Sequence, residues 1–361
     1  MYFFQILSLA IQPLFVATSA ALRQNVVFQF PPDPNNETQV IQFFFGSLVN
    51  ETGAAIKGTN LVSGSFIIDG TYCTPGSSHD VNVLEILVHG ISYDKSVWSS
   101  LGLGNETLNW QLYAASQGYA TLAIDRLGHG TNPQHPDPLN VVQGWLQLDI
   151  LHQLIETIRS IPRNGLCRTF DRIVYVSHSY AGWLGTGLAA AHPKDVDAIV
   201  LTGFSVAFSN SGFESTQVVS AANMNPKRFP SFPLGYITIA QESQREALFY
   251  AGGYSHIIAE QDYAVQDTWT IGETGNLGFF VPAVNYTGPL YITAGEEDII
   301  FCTAPGATCE DLLNSTRELF PGVTEFGFKA ISDTGHTLML HDSAPEMFAE
   351  VHDFLGKVLS N

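Results

Sequence analysis

The sequence predicts an α/β fold: a mostly parallel central sheet flanked by helices, enlarged by an insertion and by an N-terminal β extension. Three observations lead there. Short apolar, β-branched runs at Val83 to Val88, Tyr119 to Ile124, Arg172 to Ser177, Ala198 to Thr202, Pro289 to Ala294 and Thr324 to Ile331 read as strands. Helical patterns fall between them, the longest being Leu139 to Ile161, stopped by Pro162. And 361 residues with 45% hydrophobic content are enough to bury a sizeable core.

The elements divide the chain as follows. Residues 1 to 22 are uncharged and apolar and end in small residues, which reads as a cleaved signal peptide. Gln5, Gln12 and Pro13 interrupt the run, so it makes a poor membrane span. Residues 23 to 79 carry Pro31-Pro-Asp-Pro34 and then alternating runs such as Gly64 to Ile68, a β-rich extension laid antiparallel against the start of the sheet. Residues 80 to 205 and 286 to 361 form the two parts of the core. Between them, 206 to 285 are too long for an ordinary connection and are expected to form a cap, or lid. Its aromatics, Phe229, Phe232, Tyr236, Phe249, Tyr250, Tyr254, Tyr263 and Trp269, are expected mostly to make the cap's own core, with Gln244 to Tyr250 an amphipathic helix. Ser343-Ala-Pro-Glu346 has the spacing of a capping box opening the last helix.

The most informative stretch is Arg172 to Gly182, where a β-branched run ends in Ser177-His178-Ser179-Tyr180-Ala181. A strand turning sharply into a helix strains the backbone of the residue at the turn and brings neighbouring chains close. Small residues are therefore needed two before and two after it. Ser177 and Ala181 meet that need, and the helix that follows, Tyr180 to Ala191, is rich in small residues. Four further motifs stand at strand ends: H-G-x-x-Y at 89 to 93, D-R-L-G-x-G at 125 to 130, G-E-x-D-x-x-F-C at 295 to 302 and D-x-G-H at 333 to 336.

With these motifs in this order, the chain resembles the α/β-hydrolase superfamily over roughly residues 65 to 361, and more narrowly the secreted fungal AB hydrolase-1 type serine hydrolases, which are esterase- or lipase-like. The resemblance implies a nucleophile at Ser179, a base at His336 and an acid at Asp298. A serine hydroxyl is a poor nucleophile at neutral pH, so it needs a base within hydrogen-bond reach and a third group that fixes the base's tautomer. Most of the 11 histidines must be bystanders: His89 and His129 belong to loop motifs, His178 adjoins the nucleophile, and His341 lies nearer the last helix. Glu296 and Glu297 compete with Asp298, which the G-x-x-D spacing of the fold favours; the alternative acid position, Thr202-Gly203-Phe204-Ser205, offers no carboxylate. The oxyanion hole is assigned to the backbone N–H groups of Ile91 and Tyr180, with Tyr93 as an auxiliary.

The formal net charge of −19 argues against nucleic acid and anionic membrane as partners; a small-molecule ester or lactone is the substrate that the resemblance implies. No cofactor or metal is expected. The four cysteines, Cys73, Cys167, Cys302 and Cys309, permit three pairings. A Cys302–Cys309 bridge would stiffen the segment after Asp298 and leave Cys73 to pair with Cys167. Glycosylation sequons stand at Asn36, Asn50, Asn105, Asn285 and Asn314. Together these features predict a secreted serine esterase whose activity falls in acid as His336 protonates. A non-hydrolytic lyase or cyclase on the same scaffold, and a ligand-binding module without turnover, are the competing readings.

Overall fold

The computed structural model describes residues 21–30, 38–44, 55–76, 81–160, 164–277 and 281–359. The signal-peptide expectation therefore lies outside the described residues except for Ala21 and Leu22, as do the sequons at Asn36 and Asn50. In chain order the first strands are β1 (Ala21–Phe30), β2 (Thr38–Phe44), β3 (Ala55–Val62), β4 (Phe66–Pro75), β5 (Val83–Val88) and β6 (Ala120–Ile124), with α1 (Trp110–Ser116) before β6 and α2 (Gly144–Ser160) after it. Then come β7 (Arg172–His178), α3 (Tyr180–Ala191) and β8 (Ala198–Thr202). Residues between β8 and β12 hold α4 (Ser211–Glu214), β9 (Val218–Ser220), α5 (Ala221–Met224), β10 (Tyr236–Ile239), α6 (Glu242–Phe249), α7 (His256–Val265), β11 (Trp269–Thr270) and α8 (Ile271–Thr274). The chain finishes with β12 (Leu290–Gly295), α9 (Cys309–Ser315), β13 (Phe326–Ile331) and α10 (Ala344–Val358).

The main sheet has eight strands in the order β1-β4-β6-β5-β7-β8-β12-β13. From β6 to β13 every neighbouring pair is parallel, whereas β4 runs antiparallel to both β1 and β6. β5, β6, β7, β8 and β12 are buried along nearly their whole length, as strands covered by helices on both faces must be. This explains why they read as continuous apolar runs rather than alternating ones. α2 buries Leu146, Leu148, Ile150, Leu151, Leu154, Ile155 and Ile158 along one stripe. β9, β10 and β11 make a separate three-stranded antiparallel sheet within the inserted segment, and β2 pairs with β3 alone.

One boundary and one cap differ from the sequence reading. The α2 helix begins at Gly144, not Leu139, because the Asp137 carboxylate accepts the N–H groups of Leu139 and Asn140 and holds residues 137–143 as a turn. Ser343 makes no side-chain cap bond; its hydroxyl pairs instead with Thr334 Oγ1 at 2.7 Å, and Pro345 opens α10.

The central sheet carries a buried carboxylate on β5. Glu85, on β5, accepts the Trp110 indole N–H at 2.7 Å and lies 3.0 Å from His352 Nε2, on α10. All three side chains are buried. No described helix is long and apolar enough to cross a membrane.

Candidate active site

Parallel strands deliver their C-terminal ends to one edge of the sheet, and the predicted groups meet there. Ser179 follows β7 directly and occupies φ 55°, ψ −120°, a left-handed conformation that costs a non-glycine residue on the order of 1–3 kcal/mol. Its surroundings hold it there. The Ser179 N–H donates to Thr202 O of β8 at 2.9 Å, and Gly182 N–H donates to Ser179 O at 2.7 Å. The small residues have geometric reasons: a Cβ on Gly182 would collide with the Phe204 ring, and one on Gly90 would lie 3.0 Å from Ser179 Cβ.

Ser179 Oγ lies 2.8 Å from His336 Nε2, and His336 Nδ1 lies 2.8 Å from Asp298 Oδ2. All three residues are at least 94% buried. The carboxylate can only accept, so Nδ1 carries the imidazole proton and Nε2 is left to accept from the serine hydroxyl. Asp298 is itself fixed, its Oδ1 accepting the N–H groups of Ile300 at 2.8 Å and Phe301 at 3.1 Å. Glu296 and Glu297, its rivals in the sequence, point to solvent. His341 braces the turn that bears His336: its Nε2 accepts from Gly335 N–H at 3.1 Å and its Nδ1 donates to Thr337 O at 2.8 Å.

The remaining histidines of the motifs serve the framework. His89 Nε2 accepts from Arg126 N–H at 3.0 Å, which leaves Nδ1 to donate to Gly90 O at 2.8 Å. Burial, then the nearby Arg126 cation, push the His89 imidazole far below its ordinary pKa, so it is neutral. His178 packs 4.8 Å from the His336 ring and is likewise held neutral by burial. His129 donates to Glu273 at 3.0 Å.

Ile91 and Tyr180 are buried; Ile91 follows Gly90, on which a Cβ would lie 3.0 Å from Ser179 Cβ, and Tyr180 is the first residue of α3, where a backbone N–H has no intrahelical acceptor. Tyr93 is not an auxiliary donor. Its hydroxyl is occupied by Asp262 Oδ2 and Thr337 Oγ1, each at 2.9 Å. The cysteine expectation needs one correction. Cys302 and Cys309 are joined, with Cα atoms 4.6 Å apart, but Cys73 and Cys167 are not. Cys73 is buried on β4 with its Sγ 3.7 Å from Gln111 O, while Cys167 is exposed on a loop.

Aromatic rings enclose the base. Phe249 from the inserted segment lies 5.5 Å from the His336 ring and Phe301 stacks on it at 5.8 Å. Phe301 continues into Phe204, Phe208 and Trp183, a wall that sequence reasoning missed because its members come from three separate segments. Of the inserted segment's other aromatics, Phe229, Phe232 and Tyr236 pack on one another.

The sequence profile of the alpha/beta hydrolase family matches residues 86–351. The chain belongs to that family. No curated protein matches the chain. Among solved structures it is similar to a thermophilic esterase from Thermogutta terrifontis, with a TM-score of 0.53 at 14% identity over 89% of this chain and 98% of that one. It is equally similar to an epoxide hydrolase from Vigna radiata, with a TM-score of 0.53 at 13% identity over 81% and 95%. At such identities the likeness extends to the fold alone, and two different reactions share it.

One buried group near the site governs a pH response. Asp267 accepts Gly130 N–H at 2.6 Å, and burial together with Asp94 and Asp125 raises its carboxyl to about 6, against the lowering pull of His129. A native pKa above the unfolded value means that its contribution is favourable below pH 4 and is lost as pH rises through 6. The Asp267→Asn variant, which keeps the acceptor and cannot ionise, is expected to gain up to about 3 kcal/mol over wild type between pH 4 and 7, read from denaturant midpoints at each pH.

Proposed function

We propose that this alpha/beta hydrolase cleaves carboxylic esters or lactones of a small, apolar substrate through an acyl-enzyme on Ser179. The observation that carries the reading is the continuous relay from Ser179 Oγ through His336 to Asp298, with both links at 2.8 Å and the serine in its strained turn. Ser179 Oγ attacks the carbonyl carbon as His336 Nε2 takes the hydroxyl proton. The N–H groups of Ile91 and Tyr180 stabilise the negative charge on the carbonyl oxygen. His336 then protonates the leaving alkoxide, and in the second half it deprotonates the water that releases the acid. Asp298 keeps the imidazole in the working tautomer throughout. This chemistry needs neither metal nor organic cofactor.

We read the protein as secreted and glycosylated. The apolar start of the chain, the Cys302–Cys309 bridge and the solvent exposure of Asn285 and Asn314 support this. Residues 206–285 act as the cap, and Phe249, Phe301 and the Trp183 wall supply the apolar surroundings of the acyl group.

The test is intact-mass analysis after exposure to a fluorophosphonate, with Ser179→Ala alongside. One adduct on the wild type and none on the variant is expected. Absence of an adduct on folded wild type overturns the reading in favour of a binding module. An adduct without hydrolysis of any ester or lactone moves it to a lyase or cyclase.

A further inference from the structure

We infer that the inserted segment, 206–285, is a working part of the oxyanion hole, and that Arg126 and Arg245 are positioning residues that fix the Ile91 peptide from either side. The inference rests on the serine-hydrolase reading above. The loop after β5 runs His89, Gly90, Ile91, Ser92. Arg126 donates from Nε to His89 O at 3.0 Å and from Nη2 to Gly90 O at 3.1 Å. Gly90 O and Ile91 N–H belong to one trans peptide unit and therefore point in opposite directions. Anchoring the carbonyl on Arg126 turns the N–H away from it. Gly90 itself stands so close to Ser179 that a Cβ would lie 3.0 Å from the serine Cβ, so the loop passes directly over the nucleophile.

The other side is anchored by the inserted segment. Ser92, at φ 57°, donates its N–H to Thr268 O at 3.2 Å and accepts Asp267 N–H at 3.0 Å. Arg245 donates from Nη1 to Ser92 Oγ at 2.9 Å and from Nη2 to Ser92 O at 3.3 Å. Both guanidinium groups are buried, and a buried cation requires a partner. Both partners come from the inserted segment: Glu273 pairs with Arg126, and Asp262 takes Arg245 Nη2 at 2.8 Å and Nε at 3.0 Å. Burial alone would raise the Glu273 carboxyl, but Arg126 and His129 hold it well below the usual carboxylate range. The Arg126 guanidinium also lies 4.8 Å from the centre of the Tyr180 ring, on the residue that supplies the second donor. Three of the four carbonyls from His89 to Ser92, those of His89, Gly90 and Ser92, are thus held by guanidinium groups whose buried counterions lie in the inserted segment.

A donor displaced by a fraction of an ångström weakens its bond to the developing oxyanion while leaving the ground-state carbonyl nearly untouched. The experiment compares steady-state hydrolysis of p-nitrophenyl butyrate, and inhibition by phenylboronic acid as a tetrahedral mimic, for wild type, Glu273→Gln, Arg245→Lys and the milder Ser92→Ala. Ile257→Ala, on an exposed site of the same segment, is the control. For the two charged-pair variants kcat is expected to fall roughly ten- to a hundredfold with KM within about twofold, and boronate affinity to fall in parallel. Ser92→Ala is expected to show the same kcat-only pattern at a few-fold size. Folded variants that keep kcat and boronate affinity, or that change KM alone, overturn the inference and leave the serine-hydrolase reading standing. Wild type that neither hydrolyses the ester nor binds boronate overturns both.

Discussion

The Asp298→Asn substitution is expected to lower kcat/KM for an activated ester by about 10⁴ while leaving the fold intact. The cause lies in how the carboxylate is already used. Its Oδ1 accepts two backbone N–H groups, from Ile300 and Phe301, so the amide oxygen of the variant must take that place. The amide nitrogen then faces His336 Nδ1. A donor in that position forces the imidazole proton onto Nε2, toward Ser179, and the histidine can no longer accept the serine proton. Fluorophosphonate labelling is expected to slow in step with turnover. A fall of less than tenfold in a folded variant would remove Asp298 from the relay.

Glu85→Ala is expected to be the most destabilising of the substitutions considered, by about 3–5 kcal/mol, because it leaves the buried His352 without its counterion and the Trp110 N–H without an acceptor. For a chain of this length that corresponds to a Tm lower by roughly 4–7 °C. The loss also has a pH signature. Burial acts to lower the His352 pKa, but the Glu85 charge outweighs it and the net shift is upward. Stability from a raised histidine is complete below its unfolded pKa and is lost as pH rises through the native value. The Tm gap between wild type and variant should therefore be wider at pH 5.5 than at pH 9, and calorimetry at the two pH values decides it.

What could be read from the sequence was local. A strained serine, its small neighbours two positions either side and a glycine beneath it are demands of a single turn, and they appear as a short motif at 177–182. The same holds for Asp298 and His336, each just beyond a strand end. The choice of Asp298 over Glu296 and Glu297 rested on the G-x-x-D spacing that the resembled fold carries after this strand. The clamps around Ile91 were not legible, although Arg126 was in plain view within D-R-L-G-x-G. Its counterion lies 147 residues away, in a segment whose register no periodicity fixes. Arg245 falls within the stretch read as an amphipathic helix, Gln244 to Tyr250, and is one of that helix's buried residues, together with Leu248 and Phe249. Ser343 failed as a cap for a related reason: a hydroxyl goes to whichever partner tertiary structure brings nearest, and that was Thr334.

The relay joins residues 157 positions apart, and this has a consequence in time. At a synthesis rate of about 5–20 residues per second, the histidine leaves the ribosome roughly 8–30 s after the serine. Until β13 has docked on β12, Ser179 has no base and Asp298 has no imidazole to orient. A growing or truncated chain can hold the complete β7–α3 turn and still carry only an ordinary alcohol. On the proposed reading, Ser179 therefore gains its base only after His336 has been made and β13 has docked, and a chain that stops short of that point lacks the relay.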